Sequence, residues 1–318
     1  MSKIEDIRDN IGKVIVGKDE TVLLAVVAMI AGGHILLEDV PGTGKTVLAR
    51  ALAKSVEGSF NRIQFTPDLL PSDITGLSVY QEATSEFVFK KGPVFCNVLL
   101  ADEINRATPR TQAGLLECME ERQVTVDGET RKLAEPFFVI ATQNPVETSG
   151  TFPLPEAQLD RFMMKISMGL PEREQEIEIL RRFQGKKRED KLKDIETIVS
   201  FDDIKKMQDE ARSVEVHPEL LQYIADIVVA TRKREDVASG VSPRGSLALL
   251  SCAQVLALAM GRNYVVPEDI KRLAVPVLAH RLIMSGGYGR TGNSRQVIES
   301  ILDEVKVPTE DALIRQEV

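Results

Sequence analysis

His34-Ile35-Leu36-Leu37-Glu38-Asp39-Val40-Pro41-Gly42-Thr43-Gly44-Lys45-Thr46 joins a short apolar run to a glycine-rich turn and then to an amphipathic segment. A buried strand at His34–Glu38, a Gly-x-Gly-Lys-Thr turn and a helix start are the setting of a phosphate-binding loop. There the glycines let backbone N–H groups turn inward, and the helix N-terminus adds its positive end. Lys45 would reach the β- and γ-phosphates and the Thr46 hydroxyl would ligate Mg²⁺, with Pro41, Gly42, Thr43, Gly44 and Val47 completing the cradle. One departure is plain, because the full pattern G-x-x-x-x-G-K-[ST] has a glycine where Asp39 stands.

Outward from this stretch, Leu48, Ala51, Leu52 and Val56 fall on one helical face between Thr46 and Glu57, with Gly58 as a stop. Further short apolar runs predict strands at Asn61–Thr66, Val98–Ile104, Phe137–Thr142 and Phe162–Met168. Five strands alternating with amphipathic segments build a parallel sheet covered by helices on both faces. Two stretches interrupt the alternation. β-formers over Leu77–Phe89 flank a polar turn, and Val124–Leu133 carries Asp127-Gly128, so each predicts a hairpin. After Pro171 the strand signal vanishes. Leu220, Leu221, Ile224, Ile227 and Val228 mark one amphipathic helix, Leu247–Met260 is apolar nearly all round, and Val266-Pro267-Glu268-Asp269 opens another. The mixed-sign stretch Gly185–Lys193 is expected to be a solvated connection.

Composition narrows the class. The chain has 318 residues, 43% hydrophobic and 28% charged, which suits a soluble globular fold and removes compositional support for disorder. A net charge of -8 repels phosphate backbones on average, so nucleic-acid binding is not expected. Three scattered cysteines and three histidines suggest neither a disulfide framework nor a zinc site, which fits a reducing cytoplasm. The N-terminus lacks a signal-peptide core, and no run is long enough to insert in a membrane.

Five further residues are candidates for chemistry. Val98–Glu103 ends in adjacent carboxylates: Asp102 would hold Mg²⁺, and Glu103 would orient and polarise an attacking water. Asn144 follows the fourth strand, where an amide can bond both that water and a γ-phosphate oxygen; alone it also reads as a turn asparagine before proline. Arg161, just before the last strand, reads equally as a partner of a nearby acid. Arg244 sits in the first turn of a helix capped by Ser242-Pro243, where a cation opposes the helix dipole by about 0.3–1 kcal/mol. An anionic ligand would offset that cost.

With these residues in place the chain resembles AAA+ ATPases, and among them the MoxR family, over essentially its whole length. Ala101–Thr125, Ala141–Pro145 and Leu154–Phe162 carry the likeness. The resemblance implies an αβα nucleotide-binding domain with a five-stranded parallel sheet at 1–170, followed by an all-α lid at 171–318. It implies ATP and Mg²⁺ as cofactors and a ring, a hexamer, as the working form. Leu77–Phe89 would be the helix 2 insert and Val124–Leu133 the hairpin before sensor 1. Asn144 would be sensor 1, Arg161 the arginine finger offered to a neighbour, and Arg244 sensor 2, in its own subunit or across the interface. Val16 and Gly17 lie where the family's backbone meets adenine. The family also implies chaperone-like remodelling of a client, or metal or cofactor insertion into it, alongside a partner with a von Willebrand factor A domain. A DNA motor related to helicases and a nucleotide-gated scaffold remain as alternatives.

Overall fold

The computed structural model describes residues 3–40, 42–145, 150–184, 192–285 and 291–308. Pro41 and most of the Gly185–Lys193 stretch lie outside the described residues. Helices α1 (Lys3–Gly12) and α2 (Asp19–Ile30) lead into β1 (Ile35–Glu38), α3 (Lys45–Ser55), β2 (Phe60–Gln64) and α4 (Pro71–Thr75). A hairpin of β3 (Gly76–Gln81) and β4 (Glu86–Lys91) precedes β5 (Val98–Asp102) and α5 (Pro109–Glu121). A second hairpin, β6 (Gln123–Val126) and β7 (Glu129–Lys132), precedes β8 (Phe138–Gln143), α6 (Glu156–Leu159) and β9 (Met164–Ile166). The remainder is α7 (Arg173–Phe183), α8 (Phe201–Arg212), α9 (Pro218–Lys233), β10 (Val237–Ser239), α10 (Pro243–Ala259), α11 (Pro267–Leu278), β11 (Ile283–Met284) and α12 (Thr291–Glu304).

The five strands form one parallel sheet in the order β2-β5-β8-β1-β9. Both faces are covered, as the near-continuous apolar strands require. Ile35, Leu37, Val98, Leu100, Phe138 and Ile140 face one core, shared with α1, α2, α3 and helices α8 to α12. Leu36, Leu99, Ala101, Val139 and Ala141 face the other, with Leu115, Leu116 and Met119 of α5. The lid helices therefore share a hydrophobic core with one face of the sheet, and each fully buried leucine or isoleucine there contributes roughly 1.5–3 kcal/mol.

Several expectations shift in detail. The chain after Pro171 is not purely helical, since β10 and β11 pair as a two-stranded antiparallel ribbon. Runs of three and two residues are too short to show a period of two in the sequence. Helix α3 stops at Ser55 with Val56 already extended, two residues before Gly58. The last strand is confined to Met164–Ile166, and Leu221 is 45% exposed, off the buried stripe of α9. Both hairpins form, the second turning through Asp127 and Gly128 at positive φ, and they touch: Ser78 Oγ donates to the Asp127 carboxylate, and the Arg131 guanidinium lies 4.0 Å from the Phe89 ring.

Two buried histidines tie these layers together. The His34 Nδ1 accepts from the Val139 N–H at 3.0 Å, so its Nε2–H donates to the Met119 carbonyl at 3.1 Å, joining β1, β8 and α5. His280, after α11, sits 3.0 Å from the Phe162 carbonyl. Burial pushes both imidazoles down from 6.5 to about 3, Arg122 adding to this at His34 and Arg281 at His280. The unfolded chain therefore binds more protons than the folded one between those values, so stability is full above 6.5 and declines as pH falls. At about pH 5.5 the expected loss is on the order of 1 kcal/mol per histidine. Urea unfolding at neutral and mildly acidic pH measures it, and His34→Gln with His280→Gln should flatten the slope.

Candidate functional site

A parallel sheet delivers every strand's C-terminal end to one edge, which is where open α/β sheets bind ligands. Here that edge gathers Asp39 and the phosphate-binding turn after β1, Gln64 at the end of β2, Asp102 and Glu103 at the end of β5, and Asn144 after β8. In the turn, Gly42 and Gly44 have φ of 90° and 96°, a conformation that costs other residues roughly 1–2 kcal/mol. The turn feeds directly into α3, whose first residues are Lys45, Thr46 and Val47. Lys45 is only 9% exposed as a residue, and its Nζ donates to the Asp39 carbonyl at 2.9 Å. Burial pushes its ammonium below the usual lysine range, and Asp102, Asp39 and Glu103 pull it back. Lys45 thus lies within the field of the three acids at this edge.

The carboxylates are held by residues that the sequence reading did not single out. Thr142, fully buried in β8, accepts from the Glu103 N–H at 2.9 Å and donates to Asp102 Oδ1 at 2.6 Å. Arg62 donates to Asp102 Oδ2 at 2.7 Å, and Gln64 to Glu103 Oε2 at 2.8 Å. Arg106 lies 3.0 Å from the same Glu103 oxygen. Glu103 itself is left-handed, at φ 57° and ψ 48°, a strained conformation for a non-glycine residue that turns the chain sharply at the strand end. Thr142 stands out only from the strand register, because it lies one step beyond the Ala101–Ala141 pair and hence beside Asp102. Asn144 is buried at 9% exposure, and its carbonyl is 3.5 Å from Asn105 Nδ2. The Thr46 hydroxyl and the Asp102 carboxylate would both offer oxygen donors, the ligand type that suits Mg²⁺. Each Asp102 oxygen accepts one bond and keeps further acceptor capacity, so the residues present fit the ion.

Asp39, the departure from the glycine pattern, has a job. Its carboxylate accepts from Ser167 Oγ at 2.7 Å, from Met168 N–H at 2.6 Å and from Gly169 N–H at 3.0 Å. Among the described residues of this turn the left-handed conformation is confined to Gly42 and Gly44, so position 39 needs no glycine. The same segment reaches the region expected near adenine. Thr21 donates to the Ser167 carbonyl at 3.2 Å and Lys18 to that of Leu170 at 3.0 Å, next to half-buried Val16 and exposed Gly17. The Gly17 carbonyl accepts from Gln175 of α7 at 3.3 Å.

Arg161 and Arg244 lie elsewhere. Arg161 precedes β9, and the Met163 N–H bonds the His34 carbonyl at the start of β1, so Arg161 sits at the N-terminal edge of the sheet. Five residue steps from His34 to Asp39, at about 3.3 Å each, separate the two edges by roughly 16 Å. Arg161 turns instead to α5, donating to the Leu116 carbonyl at 2.9 Å and pairing with Glu120 Oε2 at 2.7 Å. Arg244, in the first turn of α10, pairs with Glu120 Oε1 at 2.7 Å. The helix opens at Ser242 and Pro243 as the sequence suggests, but the Ser242 hydroxyl bonds Asp160 at 3.1 Å rather than capping the helix. Asp160 also pairs with Arg281, which is buried and donates to the Phe162 carbonyl at 2.8 Å.

Asp39→Gly restores the consensus glycine yet leaves the Met168 and Gly169 N–H groups without their acceptor. The expected result is a loss of about 2–4 kcal/mol in denaturant unfolding, since bonds to a charged acceptor are each worth roughly 1.5–3 kcal/mol. Asp39→Asn should lose less.

The comparisons with known proteins agree with this geometry. Residues 34–164 match the family described as ATPase family associated with various cellular activities (AAA), and residues 229–301 match the AAA lid domain. The chain is 47% identical to YeaC of Bacillus subtilis, covering 96% of this chain and 95% of that protein. It is 42% identical to the chaperone MoxR1 of Mycobacterium tuberculosis, over 96% of this chain and 82% of the relative. A crystal structure from Cytophaga hutchinsonii, described as a candidate ATPase, superposes with a TM-score of 0.87 at 42% identity, covering 96% of this chain and 95% of that one. The strand order, the P-loop edge and these relatives together make the chain a member of the MoxR family of AAA+ ATPases.

Proposed function

We propose that the chain hydrolyses ATP with Mg²⁺ at the interfaces of a ring, a hexamer, and uses the cycle to remodel a client protein or to assist metal or cofactor insertion into it. The observation that carries this reading is the separation of the candidate site into two opposite edges of one sheet. Lys45, Asp102, Glu103 and Asn144 are at the C-terminal edge, while Arg161 and Arg244 are at the N-terminal edge. Neither arginine can serve its own chain's phosphates across the length of β1, whereas head-to-tail packing brings one edge against the other and closes into a ring. The same argument favours action across the interface for Arg244 as well as Arg161.

In this mechanism Val16 and Gly17 meet the adenine, and the N–H groups of 42–47, with Pro41 at the turn, surround the phosphates. Lys45 neutralises charge on the β- and γ-phosphates. Glu103 orients the attacking water and accepts its proton, and the Asn144 amide bonds the water and a γ-phosphate oxygen. Thr46 and Asp102 would hold Mg²⁺, which would supply positive charge against the phosphates. The neighbour's Arg161 and Arg244 stabilise the charge that develops on the transferred group. An arginine finger is worth about 10³–10⁵ in rate, so assembly acts as the switch.

The chaperone role rests on the family and on the name of the mycobacterial relative, and a partner with a von Willebrand factor A domain remains part of the proposal. We place the nucleotide domain at 1–170 and the lid at 171–318, and the protein in the cytoplasm. No helix among the described residues is long and apolar enough to cross a membrane. A DNA motor is less well supported. In the β6–β7 hairpin the Arg131 charge is engaged by Glu129 and by the Phe89 ring rather than presented to a phosphate backbone.

The test is subunit complementation. Lys45→Ala keeps Arg161 but loses productive ATP binding, and Arg161→Ala keeps the P-loop. Each alone should have less than about a hundredth of the wild-type Mg-ATPase rate, and mixing them should restore turnover. A mixture as inactive as its components would overturn hydrolysis across an interface.

A further inference from the structure

Glu120 is the residue that brings the two arginines together. It lies in the last turn of α5, and its two carboxylate oxygens are divided between them: Oε2 to Arg161 NH1 and Oε1 to Arg244 NH2, both at 2.7 Å. One arginine comes from the segment before β9 and the other from the lid, so a single carboxylate bridges parts of the chain more than eighty residues apart.

The charges around it show why such a bridge is needed. Arg161, Arg244 and the buried Arg281 crowd the same edge, with Glu120 and Asp160 as the described acids paired to them. Arg244 stands in the first turn of α10, where the helix dipole disfavours a cation. Without a counter-charge, repulsion from its neighbours and from the dipole would drive Arg244 away from Arg161 into solvent. The carboxylate also leaves the arginines usable. Among the described contacts Glu120 takes one terminal nitrogen of each, and the side chains remain 31% and 50% exposed. A guanidinium has five N–H donors, so donors remain for a second anion.

We infer that Glu120 is a positioning residue that holds Arg161 and Arg244 as a preassembled pair, so that both meet the γ-phosphate on a neighbouring subunit together. The assignment rests on the interface reading above and goes beyond it by naming what sets the arginines' geometry. It makes the lid a participant, since any movement of α10 relative to α5 is transmitted through Glu120 to Arg161.

The experiment places Glu120→Gln in one kind of subunit at a time. Glutamine keeps the size and one acceptor, but its amide presents N–H donors to the other guanidinium and so breaks the shared pairing. In the mixture of Lys45→Ala with Arg161→Ala, the first subunit donates arginines and the second binds ATP. Added to the donor, Glu120→Gln should lower kcat about 10- to 100-fold with KM for ATP unchanged, as expected when a reacting group is displaced by about an ångström. Added to the ATP-binding subunit, whose Arg161 is already gone, it should add no comparable loss. Melting temperature and ring assembly by sedimentation should match the parent mixture. An equal loss in both placements, a changed KM, or no loss in the donor would overturn the role of Glu120 alone. A parent mixture without turnover would overturn the interface reading, and this inference with it.

Discussion

A parallel sheet has two chemically different edges, and nearly everything about this protein follows from which residues stand at each. Strand ends supply the turn at Gly42 and Gly44, the acids after β5 and the amide after β8. Strand beginnings supply Arg161, with the lid's Arg244 bound beside it through Glu120. Because β1 and β9 run parallel and in register, no side-chain rotation brings Arg161 to its own P-loop. In the proposed chemistry one subunit carries both halves of a site and completes neither by itself, which is why self-association belongs to the proposal.

The phosphate edge is held to the rest of the fold by polar ties as well as by apolar packing. Asp39 fastens the turn to Ser167–Gly169, and Thr21 and Lys18 fasten Ser167 and Leu170 to the start of α2. On the other edge, Arg281 and Ser242 meet at Asp160, binding the lid to the start of β9. The lid helices also share the core that lies against α1 to α3, so a change at the nucleotide has direct mechanical routes to them.

Much of this was legible in the sequence. The five strands, both hairpins and the main lid helices follow from apolar runs, an Asp-Gly turn and helical periodicity, which are local signals. The candidate site was legible where chemistry demands a fixed spacing, as in Gly42–Thr46 and Asp102–Glu103. What escaped depends on pairing between distant segments. Thr142 is conspicuous only once Ala101 is known to face Ala141, and Glu120 is one acid among several on α5 until Arg161 and Arg244 converge on it. Asp39 read as a defect in a motif because its partners lie about 130 residues away. The β10–β11 ribbon was hidden because strands of three and two residues have no period to detect.

The central claim is that the γ-phosphate bound at one subunit's Lys45 meets the arginines of another. Its most direct measurement is a structure, by electron cryo-microscopy, of Glu103→Gln in Mg-ATP, in which hydrolysis is arrested with nucleotide in place. The account predicts a closed ring in which Arg161 and Arg244 of each subunit lie within hydrogen-bond distance of the γ-phosphate held by the next. A γ-phosphate met by Arg161 or Arg244 of its own chain, or a nucleotide-loaded chain that remains a monomer, would contradict it.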